Sequence, residues 1–254
     1  MNVENEVNRI VSFIKKLTQK ANSKGIVIGL SGGIDSALTA KLCAKAIGKD
    51  RITALIMPCY SSQDDIDDAK LVANHLGIKF QIINLDLTFD TFIAAISKNY
   101  KSHKMAQANL KPRLRMCTNY YIANQMNYLV AGTGNKSEDT IGYFTKYGDG
   151  GADFLPIQHL YKREVREMAK FLKLPEKIIK RKPSAGLWKG QTDEDELSNN
   201  LGFEVTYDLL DDMLENINKN SYNSSDERYI SLLRLIEKNN HKIQLPPSLK
   251  RIKK

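Results

Sequence analysis

Leu30-Ser31-Gly32-Gly33-Ile34-Asp35-Ser36 decides the fold. Upstream, the apolar run Ile26 to Leu30 reads as a short buried strand. Downstream, Ala37 to Ile47 reads as a helix with Leu38, Leu42 and Ala46 on one face. A Ser-Gly-Gly turn between strand and helix aims several backbone N–H groups and the positive end of the helix dipole at one point. That point suits a phosphate group, and two glycines let the backbone approach it closely. Asp35, just past the turn, is placed to hold the magnesium ion that such a phosphate carries. An ordinary strand–turn–helix junction with Asp35 as a capping acid is the plainer alternative. The pattern is not a Walker loop, which requires Gly-x-x-x-x-Gly-Lys-Ser/Thr.

Working outward, strand and helix patterns alternate. Ile52 to Met57 is β-branched and apolar, and Pro58 ends it. Ser61-Ser62-Gln63-Asp64-Asp65 offers overlapping capping boxes for a helix running to about Leu76, with Gly77 as its C-cap. Phe80 to Leu85 is expected as a third strand, followed by a helix through Phe89, Phe92, Ile93 and Ile96. Another helix is expected to begin near Pro112 and run to Met126, and Tyr128 to Ala131 is a short strand ending in Gly132-Thr133-Gly134. Met1 to Leu17 patterns as an amphipathic helix. Repeated βα units of this spacing predict an α/β fold, a doubly wound parallel β-sheet flanked by helices, with ligands beyond the carboxyl ends of the strands. Both glycine-rich turns lie at that edge. From Tyr161 onward the pattern is mostly helical, except Pro183 to Asn200, which is expected to be a mobile loop.

A chain of 254 residues with no composition break fits one domain, 1–254. Its 42% hydrophobic and 26% charged residues place it among soluble globular proteins. No apolar run approaches the roughly 20 residues that span a bilayer, and the N-terminal helix lacks the apolar core of a secretion signal. No membrane partner is expected. Cys43, Cys59 and Cys117 form no C-x-x-C pair and read as reduced thiols of a cytoplasmic protein. Asn135-Lys136-Ser137 and Asn223-Ser224-Ser225 are then chance matches to the glycosylation pattern. The net charge of +9 invites a nucleic-acid reading. However, the lysines are scattered, the dense runs are Lys177 to Lys182 and Lys250 to Lys254, and no aromatics interleave with them. No nucleic-acid partner is expected.

The second constellation is Gly132-Thr133-Gly134-Asn135-Lys136-Ser137-Glu138. No glycine directly precedes Lys136, so this is not a Walker loop either. Its content is Thr133 at a strand tip and Glu138 on the next turn, which with Asp35 could converge on one magnesium ion from two strand ends. On spacing alone, a first-turn helix acid favoured by the dipole is the better reading of Glu138. The next stretch, Gly142-Tyr143-Phe144-Thr145-Lys146-Tyr147-Gly148-Asp149-Gly150-Gly151-Ala152-Asp153-Phe154-Leu155-Pro156, is costly to order unless something binds it. It offers ring faces for a flat heterocycle, Lys146 for an anion, and Asp149 and Asp153 for hydroxyls or an ammonium ion.

The first motif resembles the Ser-Gly-Gly-x-Asp-Ser loop of the N-type ATP pyrophosphatases, or PP-loop enzymes, whose fold is Rossmann-like and adenine nucleotide alpha-hydrolase-like. With the glycine-rich aromatic stretch, the chain closely resembles the ammonia-dependent NAD synthetases. Leu160-Tyr161-Lys162-Arg163, Lys182-Pro183-Ser184-Ala185-Gly186-Leu187-Trp188, Gln191-Thr192-Asp193-Glu194-Asp195-Glu196-Leu197 and Asn109-Leu110-Lys111-Pro112-Arg113-Leu114-Arg115-Met116 agree, in order, from about Val7 to Leu249.

The resemblance implies that the nicotinate carboxylate of deamido-NAD is adenylated with ATP, releasing pyrophosphate, and that ammonia then displaces AMP. By motif match, Gly29, Leu30, Ser31, Gly32, Gly33, Ile34, Asp35 and Ser36 would cradle the ATP phosphates. Asp35 and Glu138 would ligate Mg2+, Thr133 would touch ATP, and Lys162 and Ser184 would hold the outer phosphates. Without the family, Lys162 reads as a solvated helix-start lysine and Ser184 as a plain N-cap. Arg113, Lys146, Asp153, His241 and Lys242 would contact deamido-NAD, Arg113 from the other subunit of a homodimer with shared active sites. The helix around Tyr120, Tyr121, Ile122 and Met126 is the candidate dimer face. Glutamine-dependent members carry a glutaminase domain for which this chain has no room, so ammonia is the expected nitrogen donor. Two departures stand out: Ser198-Asn199-Asn200 looks like an insertion in the mobile loop, and position 184 is Ser where Thr is also common. Rival readings are a tRNA-modifying or GMP-synthesising PP-loop enzyme, or a non-catalytic nucleotide sensor of the same fold.

Overall fold

The computed structural model describes residues 1–101, 103–184, 190 and 192–249. Part of one matched motif, Ala185 to Trp188, together with Gln191 and the basic run Lys250 to Lys254, lies outside the described residues.

The apolar run before the Ser-Gly-Gly turn forms β1 (Gly25–Gly29), buried on both faces. It pairs in parallel with β2 (Ile52–Ile56) on one side and β4 (Tyr128–Ala131) on the other, and β2 pairs with β3 (Lys79–Ile82). The resulting order is β3-β2-β1-β4. The chain therefore steps outward from β1 to β3, then returns to β4 on the far side of β1. The switch point falls between β1 and β4, where a crevice opens beyond their carboxyl ends.

Alternation along the strands sends side chains into two cores. Ile26, Ile28, Ile52, Ala54 and Ile56 meet α1 (Val3–Lys20), α2 (Ile34–Ile47), α3 (Gln63–Leu76), α7 (Lys162–Phe171) and α8 (Glu176–Lys180). Val27, Leu55 and Val130 face α4 (Asp86–Ser97) and α5 (Lys104–Met126). A third cluster joins α6 (Lys136–Ile141), α9 (Asp193–Leu201), α10 (Tyr207–Asn218) and α11 (Glu227–Asn239) through Ile141, Leu197, Leu201, Leu210 and Leu232.

Local chemistry sets the element ends. Ser62 and Asp65 exchange side-chain and backbone hydrogen bonds in a capping box at the start of α3, and Gly77 ends it in the left-handed region. The third strand is shorter than the expected Phe80 to Leu85. After Ile82 only single bonds continue, from Ile83 N to Ile56 O (2.9 Å) and Leu85 N to Pro58 O (2.8 Å), and Leu85 then caps α4. The helix expected near Pro112 begins at Lys104, with Pro112 inside it. The turns before Pro112 hold good helix formers and no glycine, and the His103 ring accepts from Ala106 N at 3.4 Å.

The stretch Pro183 to Asn200 is not loop throughout. Asp193 to Leu201 is α9, so Ser198-Asn199-Asn200 sits in its final turns rather than in a loop. The physical reason is legible afterwards. Thr192 caps Asp195 N, four acids in the first turn complement the helix dipole, and Asp193, Leu197 and Leu201 recur at helical spacing on the buried face.

Candidate active site

The Ser-Gly-Gly turn is held by its own serines. Ser36 Oγ donates to Gly33 O (3.0 Å), Gly33 N donates to Ser31 Oγ (3.2 Å), and the two hydroxyl oxygens stand 3.1 Å apart. Gly32 has φ +79° and lies so close to α3 that an added Cβ would fall 2.8 Å from Asp65 O. Gly33 caps α2 with no side-chain hydrogen bond, which leaves the first-turn N–H groups of a long helix open to an anion.

Beside this turn, Asp35 at the start of α2 and Glu138 in the first turn of α6 converge on one cation. Lys162 Nζ lies 2.6 Å from Asp35 Oδ2 and 2.7 Å from Glu138 Oε1. Lys162 is 2% exposed, so it is not the solvated helix-start residue that its position suggests. Asn135, the N-cap of α6, donates from Nδ2 to Asp35 Oδ1 (2.9 Å) while its Oδ1 accepts from Glu138 N (3.1 Å), tying the two acids together. Asn135 is wholly buried.

The electrostatics follow from two carboxylates sharing one ammonium. Burial opposes the charge on Lys162, but Asp35 and Glu138 outweigh it and hold the ammonium above its ordinary range. Burial raises the Glu138 carboxyl; Lys162 pulls it down, Asp35 pushes it further up, and the net direction is upward. Glu138 Oε2 carries no hydrogen bond among the described residues. Among those residues no three His, Cys, Asp or Glu side chains group as a metal site. Two hard carboxylates at the mouth of a Ser-Gly-Gly turn are nonetheless a donor set that suits magnesium, which takes one or two carboxylates and fills its shell with phosphate oxygens and water.

Asp35, Glu138 and Lys162 line one cleft of about 660 Å³ at the switch point. Thr133, Ser184, Arg181 and Lys242 line it too, as does the turn from Gly29 to Ser36 except Gly32, which packs behind it against α3. Of the five residues assigned to the second substrate, four are brought together. Lys146 Nζ donates to His241 O (2.5 Å), Arg113 Nη2 donates to Lys146 O (3.2 Å), and Lys242 Nζ donates to Gly142 O (2.7 Å) and Phe144 O (3.2 Å). Only Lys242 of the five lines the cleft. Asp153 stands apart at the sheet edge, accepting from Val130 N (2.7 Å) and Tyr120 OH (3.2 Å). Of the candidate dimer face, Tyr121 is exposed, while Tyr120 and Ile122 pack partly against the core.

Several residues at the site were given no role from the sequence. Arg181 bridges Asp65 and Asp68 (2.8 Å to the latter) over the Gly32 turn, and Arg115 reaches Met57 O at 3.0 Å from the cleft wall. Tyr207 donates toward Glu138 from α10. Arg115 lies mid-way along α5, where a basic side chain is too common to be singled out by its type. Tyr207 lay within reach only through its spacing with Leu210 and Leu214 on a buried face.

Fold and site together define an α/β nucleotide-binding protein of the PP-loop type, with its phosphate turn and acid–lysine cluster at the switch point. A family profile described as NAD synthase matches residues 6–246, and the chain belongs to that family. The NH3-dependent NAD+ synthetase of Archaeoglobus fulgidus is 47% identical over 249 residues, 97% of each chain. Among solved structures, the NMN synthetase of Francisella tularensis superposes with a TM-score of 0.88 at 34% identity, covering 99% of this chain and 100% of that one. The NH3-dependent NAD synthetase of Campylobacter jejuni superposes at 0.81 and 31%, covering 98% of this chain and 100% of that one.

Proposed function

We propose that the chain is an ammonia-dependent NAD synthetase, one domain over 1–254, that amidates deamido-NAD with ammonia at the expense of ATP. The observation that carries the reading is the convergence of Asp35, Lys162 and Glu138 beside the Ser-Gly-Gly turn. A carboxylate is a poor electrophile, and exchanging one of its oxygens for AMP supplies a leaving group. The nicotinate oxygen attacks the α-phosphorus of ATP, the bond to the bridging oxygen breaks, and pyrophosphate departs. The ammonia lone pair then attacks the acyl carbon, AMP leaves with its phosphate oxygen, and the surplus proton passes to solvent.

In this reading the backbone N–H groups of the Ser31 to Ser36 turn bind the ATP phosphates. Lys162 neutralises charge building on the departing pyrophosphate, with Ser184 on the outer phosphates and Thr133 on the nucleotide. Asp35 and Glu138 hold Mg2+, which when bound offsets negative charge on the phosphate oxygens. Arg113, Lys146, Asp153, His241 and Lys242 are assigned to deamido-NAD. A homodimer is supported by apolar side chains that α4 and α5 leave exposed, Leu87, Phe92, Ile96, Met105 and Tyr121. Among the described residues no helix is long and apolar enough to cross a membrane, and a cytoplasmic location is part of the proposal.

The test is an end-point assay with ATP, magnesium, either deamido-NAD or the deamido mononucleotide, and either ammonium or glutamine. The mononucleotide arm is included because the Francisella relative is named an NMN synthetase. Equal yields of NAD, AMP and pyrophosphate from deamido-NAD with ammonium alone support the reading. A preference for the mononucleotide corrects its substrate, and no ATP turnover with either substrate overturns it in favour of another PP-loop acceptor.

A further inference from the structure

We infer that Tyr207, acting with Asp193, is a positioning residue for Glu138, an assignment that rests on the reading of the acid–lysine site above. Tyr207 is the first residue of α10 and is wholly buried. Its ring packs within the third core cluster, which a phenylalanine would do equally well. The hydroxyl is what the packing does not explain. It lies 3.0 Å from Glu138 Oε1 and 3.1 Å from Asp193 Oδ2.

A phenol has one hydrogen to give, and here two carboxylates stand at its tip. When the hydrogen points to Glu138, it joins Lys162 Nζ on the same oxygen, Oε1. Two donors on one oxygen fix the rotation of the carboxylate and leave Oε2 without a hydrogen bond among the described residues. The tyrosine ring also lies under the lysine, with Nζ 4.9 Å from its centroid. One side chain thus braces both the acid and the cation of the site.

Asp193 is fixed in turn by contacts of its own. Its backbone N–H donates to Pro183 O (3.1 Å), Tyr143 OH lies 3.2 Å from Oδ1, and the residue is 4% exposed as the first residue of α9. Glu194 Oε1 accepts from Tyr207 N at 3.0 Å, so the starts of α9 and α10 are joined by backbone and side chain together. The phenol thus meets Asp193 in the same geometry that presents it to Glu138. Partners of this kind, one step removed from a metal-binding carboxylate, typically change metal affinity or activity by about 10 to 100-fold when lost.

The test uses the full chain with Mn2+ as the probe, its affinity read by electron paramagnetic resonance with a non-hydrolysable ATP analogue present. Tyr207→Phe keeps the ring and is expected to weaken Mn2+ binding about tenfold. Analogue binding without metal should stay unchanged. Asp193→Asn should move Mn2+ affinity in the same direction by less, and the double variant should be no weaker than Tyr207→Phe alone, because both act through one hydroxyl. Wild-type Mn2+ affinity in Tyr207→Phe, whatever its melting temperature, overturns the assignment; fully additive losses in the double variant overturn the link to Asp193. Should Tyr207→Phe not fold, wild-type affinity in Asp193→Asn overturns the pair. The Mn2+ measurement needs no turnover, so it stands or falls apart from the substrate reading.

Discussion

Lys162 Nζ stands 2.6 Å from Asp35 Oδ2 across 127 positions of sequence, closing the phosphate turn of β1 against the first turn of α7. The pair is more than a bond, because Glu138 claims the same ammonium from α6 at 2.7 Å. Three elements that share no local sequence are thereby locked at one point. Replacing Lys162 by Met keeps the stem and removes the charge, leaving two carboxylates facing each other without a cation. The expected cost is about 3 kcal/mol of stability, the usual penalty for breaking a buried pair, and about a thousandfold in turnover. Urea unfolding and pyrophosphate release measure the two effects separately.

Asp35→Ala removes an acid from the same cluster but leaves Lys162 paired with Glu138. Stability should change by less than about 1 kcal/mol, while turnover falls about a thousandfold and magnesium-dependent ATP binding weakens. Binding titrations with and without magnesium check this, and unchanged turnover would remove the mechanism proposed above.

Acid stability should depend on the Arg181–Asp65 pair. Burial acts to raise Asp65, but hydrogen bonds from Ser62 and Arg181 outweigh it and hold the carboxyl below its ordinary 3.8. A folded value below the unfolded one means that the unfolded chain binds the proton more tightly. The pair's contribution is therefore present above the ordinary value and is lost as pH falls through the lower, folded one. Arg181→Ala should cost roughly 1–3 kcal/mol at about pH 7: the Asp65 pair is partly solvated and contributes little, while the buried Asp68 loses one cation and keeps Lys177. Near pH 2 or so the variant and wild type should converge. Unfolding free energies at both pH values decide it, and a gap that widens in acid contradicts the assignment.

What could be read from sequence divides along a physical line. Local signals were decisive: the strand before Ser31, the Ser62 and Asp65 capping box, and Gly77 as C-cap all depend on residues within a few positions of one another. The motif acids Asp35 and Glu138 were legible too, and they do converge. Missed features depend on distant partners or on polar helices. Composition alone disguised α9, whose acids and asparagines resemble a loop until Thr192 is seen to cap it. Likewise α5 starts well before Pro112, because a proline marks a helix start in sequence but is tolerated inside a long helix held by packing. Tyr207 meets Glu138 across 69 positions and belongs to no motif, so only the folded chain reveals it.

Asp211 ties α10 to the site from behind. Wholly buried, it accepts from the Ser137 hydroxyl and from Arg163 N at 2.9 Å, while Ser137 Oγ in turn accepts from Lys162 N at 2.9 Å. Asp211→Ala strands the serine hydroxyl and an amide in the core, at an expected cost of about 2–3 kcal/mol. Because the Lys162 backbone hangs on the same chain of bonds, turnover should fall by roughly tenfold as well. Asp211→Asn keeps an acceptor and should recover most of both losses, as thermal melts and steady-state rates will report.

The two glycines of the phosphate turn should respond differently to the same substitution. Gly33 has φ −86°, a conformation any residue adopts, and an added Cβ would meet only Ser31 Oγ at 3.2 Å. A hydroxyl at the end of a small side chain can move aside. Gly32 has φ +79°, and its Cβ would meet the Asp65 carbonyl at 2.8 Å and Asp68 Cβ at 2.9 Å, both anchored in α3. Backbone strain alone costs an L-residue there about 1–2 kcal/mol, and the clash must push the turn off α3 as well. Gly32→Ala is therefore expected to destabilise the chain by at least that amount and to raise the KM for ATP about tenfold or more. Gly33→Ala should leave stability within about 1 kcal/mol of wild type. Equal effects in the two variants would mean that the turn is held by something other than its left-handed residue and its seat on α3.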